Sequence, residues 1–96
     1  MDVFAYLRTE KLTVATAGAA NSLITNDLRP ILLAVVATVP VHVVTGLSAD
    51  SPTATTDDAY LPAGDIHYIP LPAGSEVSLL GAGSGSAWVS EIAPVR

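Results

Sequence analysis

The sequence predicts an all-β domain, built as a β-sandwich or jelly-roll-like barrel of about seven short antiparallel strands. Three observations predict it. The longest apolar run, LRPILLAVVATVPVHVVTG over residues 28–46, is dense in β-branched residues, whose restricted χ1 suits a pleated surface. Strand-period alternation recurs along the C-terminal half, cut at intervals by proline and glycine. No segment carries the sustained periodicity of a long amphipathic helix.

Residues 1–10, MDVFAYLRTE, fit two templates. A short helix would group Val3, Phe4 and Leu7; a strand would alternate Val3, Ala5 and Leu7 with Phe4, Tyr6 and Arg8. Phe4 is the single phenylalanine and Tyr6 one of three tyrosines, so this end holds much of the aromatic contact area. It reads as a first strand sealing the core or as an arm reaching a neighbouring subunit, with residues 11–96 forming a single domain. Residues 11–16, KLTVAT, set Leu12 and Val14 against Lys11, Thr13 and Ala15, which is a strand. Residues 17–26 mix small residues with turn formers, leave room for a short strand at 22–25, and end in a turn at Asn26 and Asp27.

In the central run, Pro30 and Pro40 mark strand starts, edges or bulges, because proline cannot donate to a ladder. Two strands result, 31–38 and 41–45, with a bend at Val39 and Pro40. The uninterrupted apolar part, 31–39, is well short of the roughly 18 to 20 residues that cross a bilayer, and Arg29, Pro40 and His42 also argue against a membrane span. Ile31, Leu33, Val35 and Ala37 alternate with Leu32, Ala34, Val36 and Thr38, so both faces of this strand are mostly apolar. An antiparallel sheet in a small monomer usually leaves one face wet. The second face therefore needs cover, from the N-terminal segment or from another subunit, and the small size of the domain favours a subunit.

Residues 46–58, GLSADSPTATTDD, form the longest loop. Asp50, Asp57 and Asp58 are oxygen ligands of the kind calcium takes, but they lack the spacing and closing glutamate of an EF-hand and are expected to be solvated turn and cap residues. From Tyr60 onward the pattern is regular: a short strand near Tyr60, then LPAG at 61–64 and again at 71–74. With proline at the first central position and glycine later, each LPAG closes one strand and starts the next. It is punctuation rather than a solenoid repeat, whose unit is roughly 20 residues or more. Between the turns, Ile66 and Tyr68 alternate with His67 and Ile69, Val77 and Leu79 with Glu76 and Ser78, and Trp88 and Ile92 with Val89 and Glu91, giving three more strands.

Composition narrows the function. A hydrophobic content of 50% supplies a core, while Lys+Arg 4 against Asp+Glu 9, net charge -5, leaves no basic patch for nucleic acid. Without cysteine there are neither disulfides nor thiolate metal sites. Asp2 ahead of Val3 and Phe4 does not read as a secretion signal, so synthesis and assembly are expected in a cytoplasm.

Catalytic patterns fail one by one. Ser84 has Ala82 and Ser86 where a nucleophile elbow needs glycines. Gly81, Gly83 and Gly85 precede a strand rather than a helix N-terminus, so they read as a flexible hairpin tip and not a phosphate cradle. His42 and His67 lie within strands, and with Asp65 they show no metal-ligand spacing; they are expected to be core or interface residues. Glu76 and Glu91 occupy alternating polar strand positions, where solvated side chains are expected rather than a catalytic pair. Trp88 caps a core, anchors an interface or stacks on a sugar. No catalytic, cofactor or metal residue is assigned, and a small hydrolase lacks both nucleophile and base.

SPTATTDDAYLPAG at 51–64, followed by HYIPLPAGSEVSLLGAGSGSAWVSEI at 67–92, resembles a group of small all-β virion proteins of tailed bacteriophages. The pieces that carry the resemblance are the PTAT loop at 52–55, the LPAG turn at 61–64, the aromatic strand at 67–69, the second turn at 71–74, and the closing VSE at 89–91. They cover roughly the C-terminal half, and they are turn and strand signatures. The resemblance implies capsid decoration, or cement: proteins that sit on the outer head shell at symmetry axes or between capsomers, often as trimers, and reinforce it after expansion. It implies the major capsid protein and copies of the chain itself, in a homotrimer, as partners, a virion location after synthesis in the host cytoplasm, and no enzyme activity. Residues expected at a subunit or capsid interface are Phe4, Tyr6, Leu7, Leu32, Val36 and Trp88. The N-terminal end departs from the pattern and is expected to fit the protein to its own capsid. The alternative is a head-fibre or tail-associated virion protein whose Trp88 and Tyr68 meet a host glycan.

Overall fold

A computed structural model describes residues 3–24 and 29–95 of the chain. Eight strands are present: β1 (Val3–Val14), β2 (Ala20–Asn21), β3 (Ile31–Ala37), β4 (Val41–Leu47), β5 (Ala59–Leu61), β6 (His67–Leu71), β7 (Ser75–Gly81) and β8 (Gly85–Val95). Among the described residues a short 3-10 turn, Ser48–Asp50, lies between β4 and β5. The protein is all-β, and none of its described helical segments is long and apolar enough to cross a membrane.

Four strands in the order β1-β8-β3-β6 form a first sheet, and four in the order β2-β7-β4-β5 form a second. Every pairing is antiparallel. β4 pairs with β5, β3 with β6, β2 with β7 and β1 with β8, so the chain is one long hairpin tipped between β4 and β5, whose successive rungs fall in alternate sheets. Two further ladders, β3 with β8 and β4 with β7, complete each sheet.

This winding corrects the turn assignments. The connection 82–84 crosses from β7 in one sheet to β8 in the other, so it is not a hairpin tip between ladder neighbours. Gly81, the last residue of β7 before it, serves close packing: a side chain there would run into the Gly83 carbonyl and the backbone of Ala15. Both LPAG segments also cross between sheets. In the second, the Ser75 N–H donates to the Pro72 carbonyl at 3.1 Å and Gly74 has φ 74°. Proline is thus the first residue of that turn and not its first central one, and glycine supplies the left-handed conformation.

The break at Val39 and Pro40 falls where the prolines place it, between β3 and β4. β1 runs without interruption across Glu10 and Lys11, so the N-terminal segment and the strand after it are one element. The extra strand, β2, lies at Ala20–Asn21 rather than at 22–25. Asn26 and Asp27, read as a turn, lie outside the described residues.

One core joins the two sheets. Leu12 and Val14 of β1, Leu33, Val35 and Ala37 of β3, and Ala87 and Val89 of β8 meet Val41 and Val43 of β4 and Val77 and Leu79 of β7. Leu71 of β6 and Ile24 complete it. Val14, Leu33, Leu71, Val77, Leu79 and Val89 are fully buried, each contributing about 1.5–3 kcal/mol relative to an exposed side chain. This interleaving decides which alternating set faces in: Leu12, Leu33, Val35 and Val89 do, and their neighbours in sequence face away.

Candidate functional site: the outer face of the first sheet

Cross-strand partners share a face of a sheet. In the first sheet the residues turned away from the core form three rows. Tyr6 lies beside Ile92, which lies beside Leu32 and then Pro70. The next row runs Thr9, Ser90, Ala34, Tyr68. The third holds Lys11, Trp88 and Val36.

Most of this face is apolar. Phe4, Tyr6 and Tyr68 are 41%, 62% and 56% exposed, and Ile66, just before β6, is also exposed. The Phe4 and Tyr68 ring centroids are 6.4 Å apart although their strands are the two edges of the sheet, so the two rings meet over its outer side while Phe4 stays paired with β8. Ala34 and Ser90 are buried despite facing away from the core. They floor a valley between larger side chains, where the hydroxyls of Thr9 and Ser90 bond at 2.8 Å. Trp88 is half-buried, with the Lys11 ammonium 5.6 Å from its ring centroid. An open groove of about 390 Å³ continues the face where β3 begins beside β8, lined by Pro30, Ile31, Leu32, Pro70, Ile92 and Ala93 together with the charged Arg29 and Glu91.

Phe4, Tyr6, Leu32, Val36 and Trp88 therefore come together on one face. Leu7, the remaining expected contact residue, is the extra residue of a β-bulge between Tyr6 and Arg8 and is exposed at the sheet edge. Tyr68, Ile66 and Ile92 belong to the face too. Their signal in the sequence is alternation, which separates two sets of residues without saying which set faces out.

The carboxylates of this sheet point the other way. Glu91, expected to be solvated, is buried: its partners in register are Leu33 and Arg8, and its Oε1 accepts a bond from Arg8 Nε at 2.7 Å. It lies at an inward position at the margin of the core, and Glu76 stands on the other sheet, so the two form no pair. Glu10 accepts bonds from the Ser22 hydroxyl at 2.9 Å and the Leu23 N–H at 2.6 Å, fastening the segment after β2.

The second sheet keeps its outer face under its own loop. Ala54 is buried, its N–H donating to the Ser78 hydroxyl at 2.9 Å, and Asn21 Nδ2 donates to the Pro52 carbonyl at 2.7 Å. Asp58 caps a turn, accepting from the Thr55 N–H at 2.7 Å. His42 Nδ1 bonds the Asp58 carbonyl at 3.1 Å, which requires its proton there, and the ring meets Tyr60 edge-on at 5.5 Å. His67 Nε2 bonds the Pro62 carbonyl at 3.2 Å. The two histidines are on different sheets, each held by backbone. Among the described residues no three His, Asp or Glu side chains are grouped to hold a metal ion.

Comparison with protein-family models, with curated proteins and with solved structures gives no match.

Proposed function

We propose that this chain is a capsid decoration, or cement, protein of a tailed bacteriophage. It binds the outer surface of the head shell, contacts the major capsid protein and further copies of itself, and stabilises the shell without catalysis. It is made in the host cytoplasm and ends in the virion. The observation that carries the reading is the outer face of the first sheet: broad, aromatic, and free of carboxylates from its own strands, in a molecule whose histidines and inward glutamates are engaged in holding the fold. Such a surface supports a protein that works by contact. The turn and strand motifs of the C-terminal half supply the phage assignment.

The fold we assign to it is a β-sandwich of jelly-roll type. Supporting this are the shared core and a long hairpin whose rungs alternate between two sheets. The glycan-binding alternative draws on the exposed ring of Tyr68 but needs a second open ring face, and the Lys11 ammonium lies over Trp88.

The test is stoichiometry and stabilisation. Quantitative mass spectrometry of purified particles is expected to find the chain near the copy number of the coat protein, and adding it to stripped, expanded shells is expected to raise their melting temperature. A few dozen copies per particle would indicate a fibre or tail component. Unchanged melting would remove the cement reading.

A further inference from the structure

We infer that the outer face of the first sheet binds the same face of a second copy, giving a two-fold pair. This rests on the reading given above, whose carrying observation is the same face, and names a further copy of the chain as what covers it.

The first argument is area. An aromatic side chain offers about 150–250 Å². At 41%, 62% and 56% exposure, Phe4, Tyr6 and Tyr68 leave roughly 300 Å² open. Ile66, about half exposed, and the half-buried Trp88, Leu32 and Val36 bring the patch to roughly 500 Å², at the upper end for a monomer. Two such patches bury about 1,000 Å² together, which is where specific protein interfaces begin.

The second argument is charge. The chain carries a net charge of -5, so two copies repel over most of their surface. On this face the outward strand positions hold no carboxylate and one ionic side chain, Lys11; Glu10 and Glu91 take inward positions, and Glu91, which also lines the groove at the end of the face, is paired with Arg8. Like-charged copies approach here at the least electrostatic cost.

The third argument is symmetry. A two-fold axis along the row of Thr9, Ser90, Ala34 and Tyr68 sets the Tyr6–Ile92–Leu32 row of one copy against the Lys11–Trp88–Val36 row of its partner and brings Lys11 toward the partner's Tyr6. A face that meets itself closes as a pair, whereas a three-fold ring joins two different surfaces.

Joining through sheet edges is disfavoured by the fold. β2 and β5 are short, β6 carries Pro70, and β1 carries the bulge at Leu7 with Arg8 and Glu10 turned inward, all features that block strand addition. The face is left as the surface for association.

Sedimentation velocity of the isolated full chain over a micromolar-to-millimolar series tests this. The expected result is a monomer–dimer equilibrium, with Tyr6→Glu raising the dissociation constant at least about tenfold while far-UV circular dichroism is unchanged. Thr53→Glu, on the loop over the other sheet, is expected to leave it unaltered. Should Tyr6→Glu unfold the chain, Tyr68→Glu gives the same readout. A monomer at every concentration, a trimer, or a dimer indifferent to both tyrosine substitutions would overturn the inference. The dimer is read on the free chain and the melting on shells, so loss of the dimer with shell melting still raised, or the reverse, tells the two readings apart.

Discussion

Arg8 and Glu91 show how one pair of side chains can occupy a position that packing alone would give to an aliphatic residue. The Glu91 side chain is 11% exposed and that of Arg8 is 48%, so the carboxylate bears most of the desolvation and the guanidinium remains partly wet. Neutralising the wet partner leaves a buried acceptor without its donor, which costs more than the pair contributes. Arg8→Ala is expected to lower stability by about 1–3 kcal/mol in a urea titration, and Arg8→Lys to recover only part, since an ammonium lacks the planar fork. Nothing in SEI at 90–92 announces this: a glutamate between a serine and an isoleucine reads as the wet member of an alternating strand. Its burial is set by Leu33 and Arg8, which arrive from distant parts of the chain.

At the scale of elements, the strands with dense β-branching were legible and the shortest one was not. Prolines and valines delimit β3 to within one residue, whereas β4 runs on through Gly46 and Leu47, which read in the sequence as the start of the loop but pair with Glu76 and Ser75. β2 has two residues, too few to express any period, and it exists because Ser22 N–H reaches the Val77 carbonyl and Glu10 holds the chain beyond it. The long acidic loop was legible as a loop but not as a cover. Its seat on the second sheet rests on two hydrogen bonds, from the Ala54 N–H to the fully buried Ser78 hydroxyl and from Asn21 Nδ2 to the Pro52 carbonyl. Ser78→Ala is expected to cost about 1–3 kcal/mol and to open residues 51–58 to limited proteolysis well below the melting temperature. Cleavage unchanged from the parent would mean that Pro52 and Asn21 suffice to hold the loop.

At the scale of the whole molecule, the ladder joins Val3 to Val95 and Ile31 to Leu71, so the decisive contacts close long stretches of chain. Folding dominated by such pairings is slow, on the order of milliseconds to seconds. Stopped-flow refolding followed through Trp88, the single tryptophan, is expected in that range, and completion within microseconds would contradict this topology. The same long-range pairing explains which part of the site the sequence could convey. A strand apolar on both faces, 31–38, already requires a covered second face. That Tyr6, Trp88 and Tyr68 join it there follows from β1, β8 and β6 lying in the same sheet, which no local pattern states.

β1 and β8 are antiparallel neighbours, so Val3 and Val95 stand side by side at one end of a ladder that runs the length of both strands. A pull between these two positions would peel the strands apart like a zipper, each rung bearing the whole load in its turn. A pull along the strands in opposite directions would instead be shared by all the rungs at once. The molecule is therefore mechanically soft to tension between Val3 and Val95 and stiff to shear along its sheets. Any assembly that carries strain through it would need to grip it by its sheets.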